Sequence, residues 1–128
     1  MTETKTKIQN FWDLNAWQEG EKLAILAYEI TKAFPREEMY SLTDQIRRAT
    51  VSIPANIAEG FGRETYKDKT HFYIMAQGSV YELQSHLLIA KKLSYLREDN
   101  FQQVFDLSLK AHRILSGLIK KSRMIRDS

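Results

Sequence analysis

The chain has no cysteine, two prolines and five glycines among its 128 residues. Without thiols there is no disulfide framework and no thiolate metal site, a composition that suits a reducing compartment. No run approaches the roughly 18 uninterrupted apolar residues that a membrane span needs, and the opening MTETKTKIQN has no apolar stretch of the kind a secretory signal carries. These absences predict a cytoplasmic protein that meets no membrane. Signatures of catalysis are missing too. His71, His86 and His112 show no metal-ligand spacing, and Glu82 and His86 lack the Glu-x-x-His step of di-iron bundles. Gly60-Phe61-Gly62 lacks the third glycine and preceding strand of a dinucleotide fingerprint, there is no P-loop, and no local signature places a histidine beside Ser52. The expectation is a protein with no enzymatic activity, metal or cofactor.

What is present is helical periodicity. Leu14, Trp17, Ala24, Ala27, Ile30 and Phe34 recur at three- and four-residue steps, predicting a first helix from Asn15 to Ala33 that Pro35 terminates. A second should start near Ser41, capped by its hydroxyl with Asp44 three residues on, and stop at Gly60 or Gly62. Pro54 inside it should introduce a kink, with the Ser52 hydroxyl satisfying what the kink frees. A third is expected from Tyr66 to Tyr95, with Gly78 marking close approach by another helix, and a fourth opens in the turn Arg97–Asn100 and runs to about Arg123. The domain organisation expected is a flexible polar leader over 1–13, a bundle over 14–123 and a frayed basic tail over 124–128. With no alternating strand pattern, the fold class is all-α, four antiparallel helices joined by short connections.

Along the second helix, Gln45, Arg48, Ser52, Asn56 and Glu59 fall within about 80° of one another at 100° per residue, opposite a stripe made by Ile46, Ala49, Ile53 and Ile57. An ordinary solvent face carries interchangeable Lys and Glu, so this mixture implies specific hydrogen bonding. One reading is structural: Arg48 or Arg47 reaches Glu82 on the third helix, with Ser52, Asn56 and Glu59 completing a network that fixes register or subunit packing. The other is that the same residues line a groove for phosphate or a partner peptide.

The block RRATVSIPANIAEGFGR, preceded by a helix ending in AFP and followed by AQGSVYEL, resembles the four-helix bundle family encoded in intervening sequences of bacterial 23S ribosomal RNA genes. The resemblance extends from about Leu14 to about Arg123 and implies a left-handed up-down-up-down bundle that assembles into a homopentamer. More distantly, the shape is similar to the accessory variability protein of diversity-generating retroelements, also a pentameric bundle, which engages nucleic acid and a reverse transcriptase.

Charge supplies the functional expectation. The net charge is only +3, but from Leu109 onward Lys110, Arg113, Lys120, Lys121, Arg123 and Arg126 face a single acid, Asp127. A solvated helix end explains these cations, since they complement the negative pole of a helix. Repeated around a ring, the same modest patch becomes a multivalent phosphate-binding surface. Arg47, Arg63, Lys67 and Lys69 form a second basic cluster at the junction of the second and third helices, where Phe61 and Tyr66 could stack on unpaired bases or simply cover the core. Trp12 and Trp17 read as apolar anchors, Trp12 extending toward a neighbouring subunit. The function predicted is a homo-oligomer that binds ribosomal or other structured RNA, or a ribonucleoprotein, through Arg63, Lys67, Lys69, Lys120, Lys121 and Arg123. The alternatives are an adaptor that docks a nucleic-acid-associated protein without touching RNA and an enzyme with a site inside the bundle.

Overall fold

The computed structural model describes residues 7–128. Four helices account for most of it: α1 (Asn15–Thr31), α2 (Leu42–Phe61), α3 (Tyr66–Lys92) and α4 (Glu98–Arg126). Short 3-10 turns at Phe11–Asp13 and Arg36–Glu38 precede α1 and α2, and no strand occurs among the described residues. Of the expected leader, residues 1–6 lie outside the described residues, while 11–13 form the first 3-10 turn. The expected frayed tail is helical as far as Arg126.

The apolar stripes converge as their spacing predicts. Leu23 of α1, Ile46, Ile53 and Ile57 of α2, Val80, Leu83 and Leu87 of α3, and Val104 and Leu115 of α4 are fully buried in one core. Contacts between neighbouring helices fix their directions. Arg47, early in α2, reaches Thr31 and Tyr28 late in α1, whereas Gly20, early in α1, lies against Ile53 and Pro54. Ser52 of α2 meets Ser79 of α3, and Gly60 meets Tyr73. Between α3 and α4, Thr70 pairs with Ser122, Gln77 with Ser116 and Gln84 with Ser108, a ladder in which one residue number rises as the other falls. Lys110 of α4 approaches the buried Glu19 of α1 at 3.6 Å and closes the circuit. Each helix therefore packs antiparallel on its two neighbours, an up-down-up-down bundle.

Helix ends depart from expectation where another group does the capping. Ser41 makes no side-chain cap; Glu38 Oε1 instead accepts the Leu42 N–H at 3.2 Å, and Asp44 is taken by Arg48. Helix α2 runs through Gly60 and ends at Phe61 with Gly62 as its C-cap, one of the two expected stops, although neither glycine adopts left-handed backbone. Gly60 is small because the Tyr73 ring lies over it: a Cβ there would stand 2.8 Å from Tyr73 Cε1. Close approach is likewise found at Gly20, where a Cβ would meet Ile53 Cγ2 at 3.3 Å and Pro54 Cδ at 3.4 Å, and not at Gly78, whose surroundings within the chain are open. The Ser52 hydroxyl bonds Ser79 and Asn56 and does not serve the carbonyl that Pro54 leaves free. Helix α3 stops at Lys92, short of Tyr95, because Ser94 adopts φ +65° and the Tyr95 N–H returns to the Ala90 carbonyl. Tyr95 then packs on Phe34 and donates its hydroxyl to Glu38, tying the α3–α4 turn to the α1–α2 connection.

Candidate nucleic-acid interface

Antiparallel packing gathers four chain segments at one end of the bundle: the approach to α1, the end of α2, the start of α3 and the end of α4. All six expected nucleic-acid contacts, Arg63, Lys67, Lys69, Lys120, Lys121 and Arg123, belong to this end. Arg47 does not. It lies 16 residues up α2, about 24 Å away along the axis at 1.5 Å per residue, where its guanidinium donates to Thr31 Oγ1 at 2.9 Å and covers the Tyr28 ring at 4.7 Å.

The six cations divide into three settings. Lys69 and Lys121 border an apolar pocket of about 260 Å³ at the bundle end, lined among others by Phe61, Tyr66, Tyr73, Leu118 and Ser122. Lys69 donates to the Phe61 carbonyl at 2.6 Å, satisfying an open acceptor at the end of α2, and partial burial lowers its pKa. Lys120 and Arg123 flank a shallow cleft between α3 and α4 that also includes Gln77 and Ser116. Arg63 is the most committed, pairing with Glu59 at 2.7 Å while lying 4.4 Å over the Phe72 ring. Lys67 is exposed just past the Thr65 cap, whose hydroxyl accepts the Asp68 N–H.

The two ends of the bundle differ in how their cations are neutralised. At the far end, Lys32 pairs with Glu29, Lys91 with Glu98, Arg97 with Asp99 and Arg48 with Asp44, while Arg36, Arg47 and Lys92 have no carboxylate within 4.0 Å among the described residues. Among the described residues at the near end, Lys67, Lys69, Lys120, Lys121 and Arg123 have no carboxylate within 4.0 Å, whereas Arg63 and Arg126 do. Cations without a carboxylate partner are thus more numerous at the near end, where Lys69 and Lys121 border the pocket.

The polar file on α2 is only partly a network. Ser52 Oγ and Ser79 Oγ are 2.8 Å apart, and Asn56 Nδ2 donates to the Ser52 carbonyl and hydroxyl, so Ser52 and Asn56 do join α2 to α3. The anticipated bridge from Arg48 to Glu82 is absent. Arg48 extends along its own helix to Asp44 at 2.8 Å, a contact that raises its pKa, and Glu82 faces His86 at 3.3 Å. Four-residue spacing within a helix satisfied each charge before a neighbouring helix could. Glu59 is likewise taken by Arg63.

The expected site omitted Tyr73, Leu118 and Ser122. Tyr73 stands seven residues after Tyr66, hence on the same face of α3, and this spacing is the signal that could have located it. It is 97% buried and lines the pocket, and no described residue hydrogen-bonds its hydroxyl. Burial, with the Tyr66 phenol nearby, pushes its pKa up to about 12. No group of three or more metal-ligating side chains occurs among the described residues, and no described helix is long and apolar enough to cross a membrane.

Residues 12–117 match the family described as 23S rRNA-intervening sequence protein. No curated protein matches the chain. Among solved structures, the fold is similar to a protein of unknown function from the S23 ribosomal protein family of Bacteroides thetaiotaomicron, in a crystal structure at 1.70 Å resolution. The TM-score is 0.76 at 20% identity, covering 82% of this chain and 95% of the other.

Proposed function

The chain belongs to the 23S rRNA-intervening sequence protein family, and from that premise we propose that it is a non-enzymatic, cytoplasmic homo-oligomer, pentameric in assembly, that binds RNA or a ribonucleoprotein through the basic end of its bundle. The observation that carries this reading is the difference between the ends: at the far end Lys32, Arg48, Lys91 and Arg97 are spent in ion pairs and Arg36, Arg47 and Lys92 are not, whereas at the near end five of the described cations lack a carboxylate partner and two, Arg63 and Arg126, have one. Phosphate contacts by Lys and Arg release counterions and supply most sequence-independent affinity. In one copy such a patch is weak. Repeated around a ring, it acts at high effective concentration, so several modest contacts engage one RNA together.

The outer face of α3 supports the assembly. Ile74, Gly78, Tyr81, Ser85 and Leu88 follow one another at alternating steps of four and three residues, the spacing of a helix-packing seam, and all are exposed. Large apolar side chains alternating with small residues suit close packing by a second helix. The same seam gives the adaptor reading its support, with a partner polypeptide in place of another copy.

The test is binding of the nuclease-treated protein to a structured 23S ribosomal RNA fragment across a salt series, with duplex DNA as competitor. The expected result is an RNA preference that survives physiological salt and is weakened when Lys120 and Lys121 are changed to Glu. Binding that vanishes by physiological salt, or that is equal for DNA, overturns RNA recognition. A salt-insensitive protein complex indifferent to both reversals favours the adaptor.

A further inference from the structure

We infer that the pocket at the basic end receives a single unpaired RNA base, with Tyr66 as its stacking platform, the Tyr73 hydroxyl as the hydrogen-bonding group at its wall, and Lys69 and Lys121 holding the adjoining phosphates. The inference deepens the RNA-binding reading and rests on it.

Size argues for one ring system. About 260 Å³ is small beside the roughly 300–1,000 Å³ of sites that take drug-sized ligands. A duplex presents no base that could enter, whereas single-stranded RNA is read by splaying bases onto aromatic side chains. The lining is mainly apolar, through Leu118, Phe61 and the tyrosine rings, and so favours a flat face over a charged group. Tyr66 is 40% exposed at the start of α3, leaving ring surface free to stack.

Polar chemistry appears at two places. No described residue hydrogen-bonds the Tyr73 hydroxyl, and Tyr73, almost wholly buried as a residue, lines the pocket, so this hydroxyl is available to a group bound there. Ser122 at the same wall is already bonded to Thr70, so Tyr73 is the uncommitted group. At the border, Lys121 has no carboxylate within 4.0 Å among the described residues, and Lys69 uses one of its three ammonium donors on Phe61. Apolar faces, one free hydroxyl and bordering cations match the order of face, edge and phosphate in a nucleotide. Tyr73 can enter so deeply because Gly60 presents no Cβ beneath its ring.

The test compares a fluorescent single-stranded RNA octamer of mixed sequence with an RNA duplex of equal length, using wild type, Tyr66→Ala and Tyr73→Phe. Tyr66 is exposed and Tyr73→Phe removes one oxygen, so both variants should fold, which circular dichroism checks. The expected result is tighter binding of the octamer than of the duplex. Tyr66→Ala should weaken octamer binding roughly five- to a hundredfold, the range for one base on one aromatic ring, and Tyr73→Phe should weaken it about five- to tenfold. Duplex binding should change less than twofold. If RNA is bound but octamer and duplex bind equally, or the variants affect both alike or neither, the base pocket is overturned and the basic-end reading stands. If no RNA binds at low salt, the basic-end reading fails and takes the base pocket with it.

Discussion

Adding one methyl group at two glycines of this bundle should have opposite effects. At Gly60 a Cβ would stand 2.8 Å from Tyr73 Cε1, 3.0 Å from Tyr73 Cδ1 and 3.0 Å from Phe72 Cβ. The Tyr73 ring is buried and cannot swing aside freely, so Gly60→Ala should incur overpacking of about 1–3 kcal/mol. Against this stands the helical gain of Ala over Gly, about 0.5–1 kcal/mol and at its lower end in a terminal turn. The net is a loss of about 0.5–2.5 kcal/mol. At Gly117, in the interior of α4, a Cβ meets nothing within 4 Å, so Gly117→Ala should keep the full gain. For a chain of this length each kcal/mol moves the melting temperature by about 3–5 °C. Thermal melts by circular dichroism at one fixed protomer concentration should place Gly60→Ala below wild type and Gly117→Ala above it. Equal shifts, or Gly60→Ala melting at or above Gly117→Ala, would refute the claim that Tyr73 requires the missing Cβ.

Four other outcomes follow from named contacts. Gly78→Ala, open within the chain but central to the α3 seam, should lower the assembled fraction in sedimentation at micromolar concentration; unchanged assembly together with a raised melting temperature would remove Gly78 from any subunit contact. Arg47→Ala should destabilise by about 1–2 kcal/mol in urea denaturation through loss of its bond to Thr31 and its position over Tyr28, while Arg48→Ala, exposed and paired only with Asp44, should leave the midpoint unchanged; the reverse order would contradict the placement of the two side chains. Ser94→Gly should stabilise by up to about 1 kcal/mol, because a left-handed backbone strains any residue with a Cβ, and a destabilised variant would exclude that conformation. Tyr73 is neutral in the folded chain up to about pH 12 but ionises near pH 10 when unfolded, so its contribution is complete below pH 10 and is lost as pH rises from 10 to 12. Wild type should therefore lose up to about 2–3 kcal/mol more than Tyr73→Phe over that interval, and parallel pH profiles would show that the phenol is not buried.

The helices were legible because each apolar stripe is long and keeps one period, and α1 starts at the predicted Asn15. Ends were less legible. Glu38 captured the first N–H of α2 from outside the helix, and Ser94 adopted a conformation usually left to glycine, which no local pattern announces. The Arg48–Glu82 pairing failed because intrahelical spacing offered each charge a nearer partner. Glycines were readable as exceptions but not as contacts: Gly20 and Gly60 make close approaches inside the chain, and Gly78 does not. The basic residues could be listed from the sequence, yet only antiparallel packing set the end of α4 beside the start of α3 and removed Arg47 from their company. The pocket stayed hidden because its walls come from separate helices. Even so, the seven-residue step from Tyr66 to Tyr73, and the Thr70, Gln77 and Gln84 steps that pair with α4 serines, were available in the sequence.

The central claim is that RNA meets one end of the bundle and not the other. The most direct measurement is binding of a structured ribosomal RNA fragment to two charge-reversed proteins across a salt series, one with Lys67, Lys120 and Lys121 changed to Glu and the other with Lys91, Lys92 and Arg97 changed to Glu. The account predicts that the first loses affinity and has a shallower salt dependence, because phosphate contacts are gone, while the second binds as wild type does. Equal loss in both would show that only net charge matters, and loss confined to the second would place the interface at the opposite end.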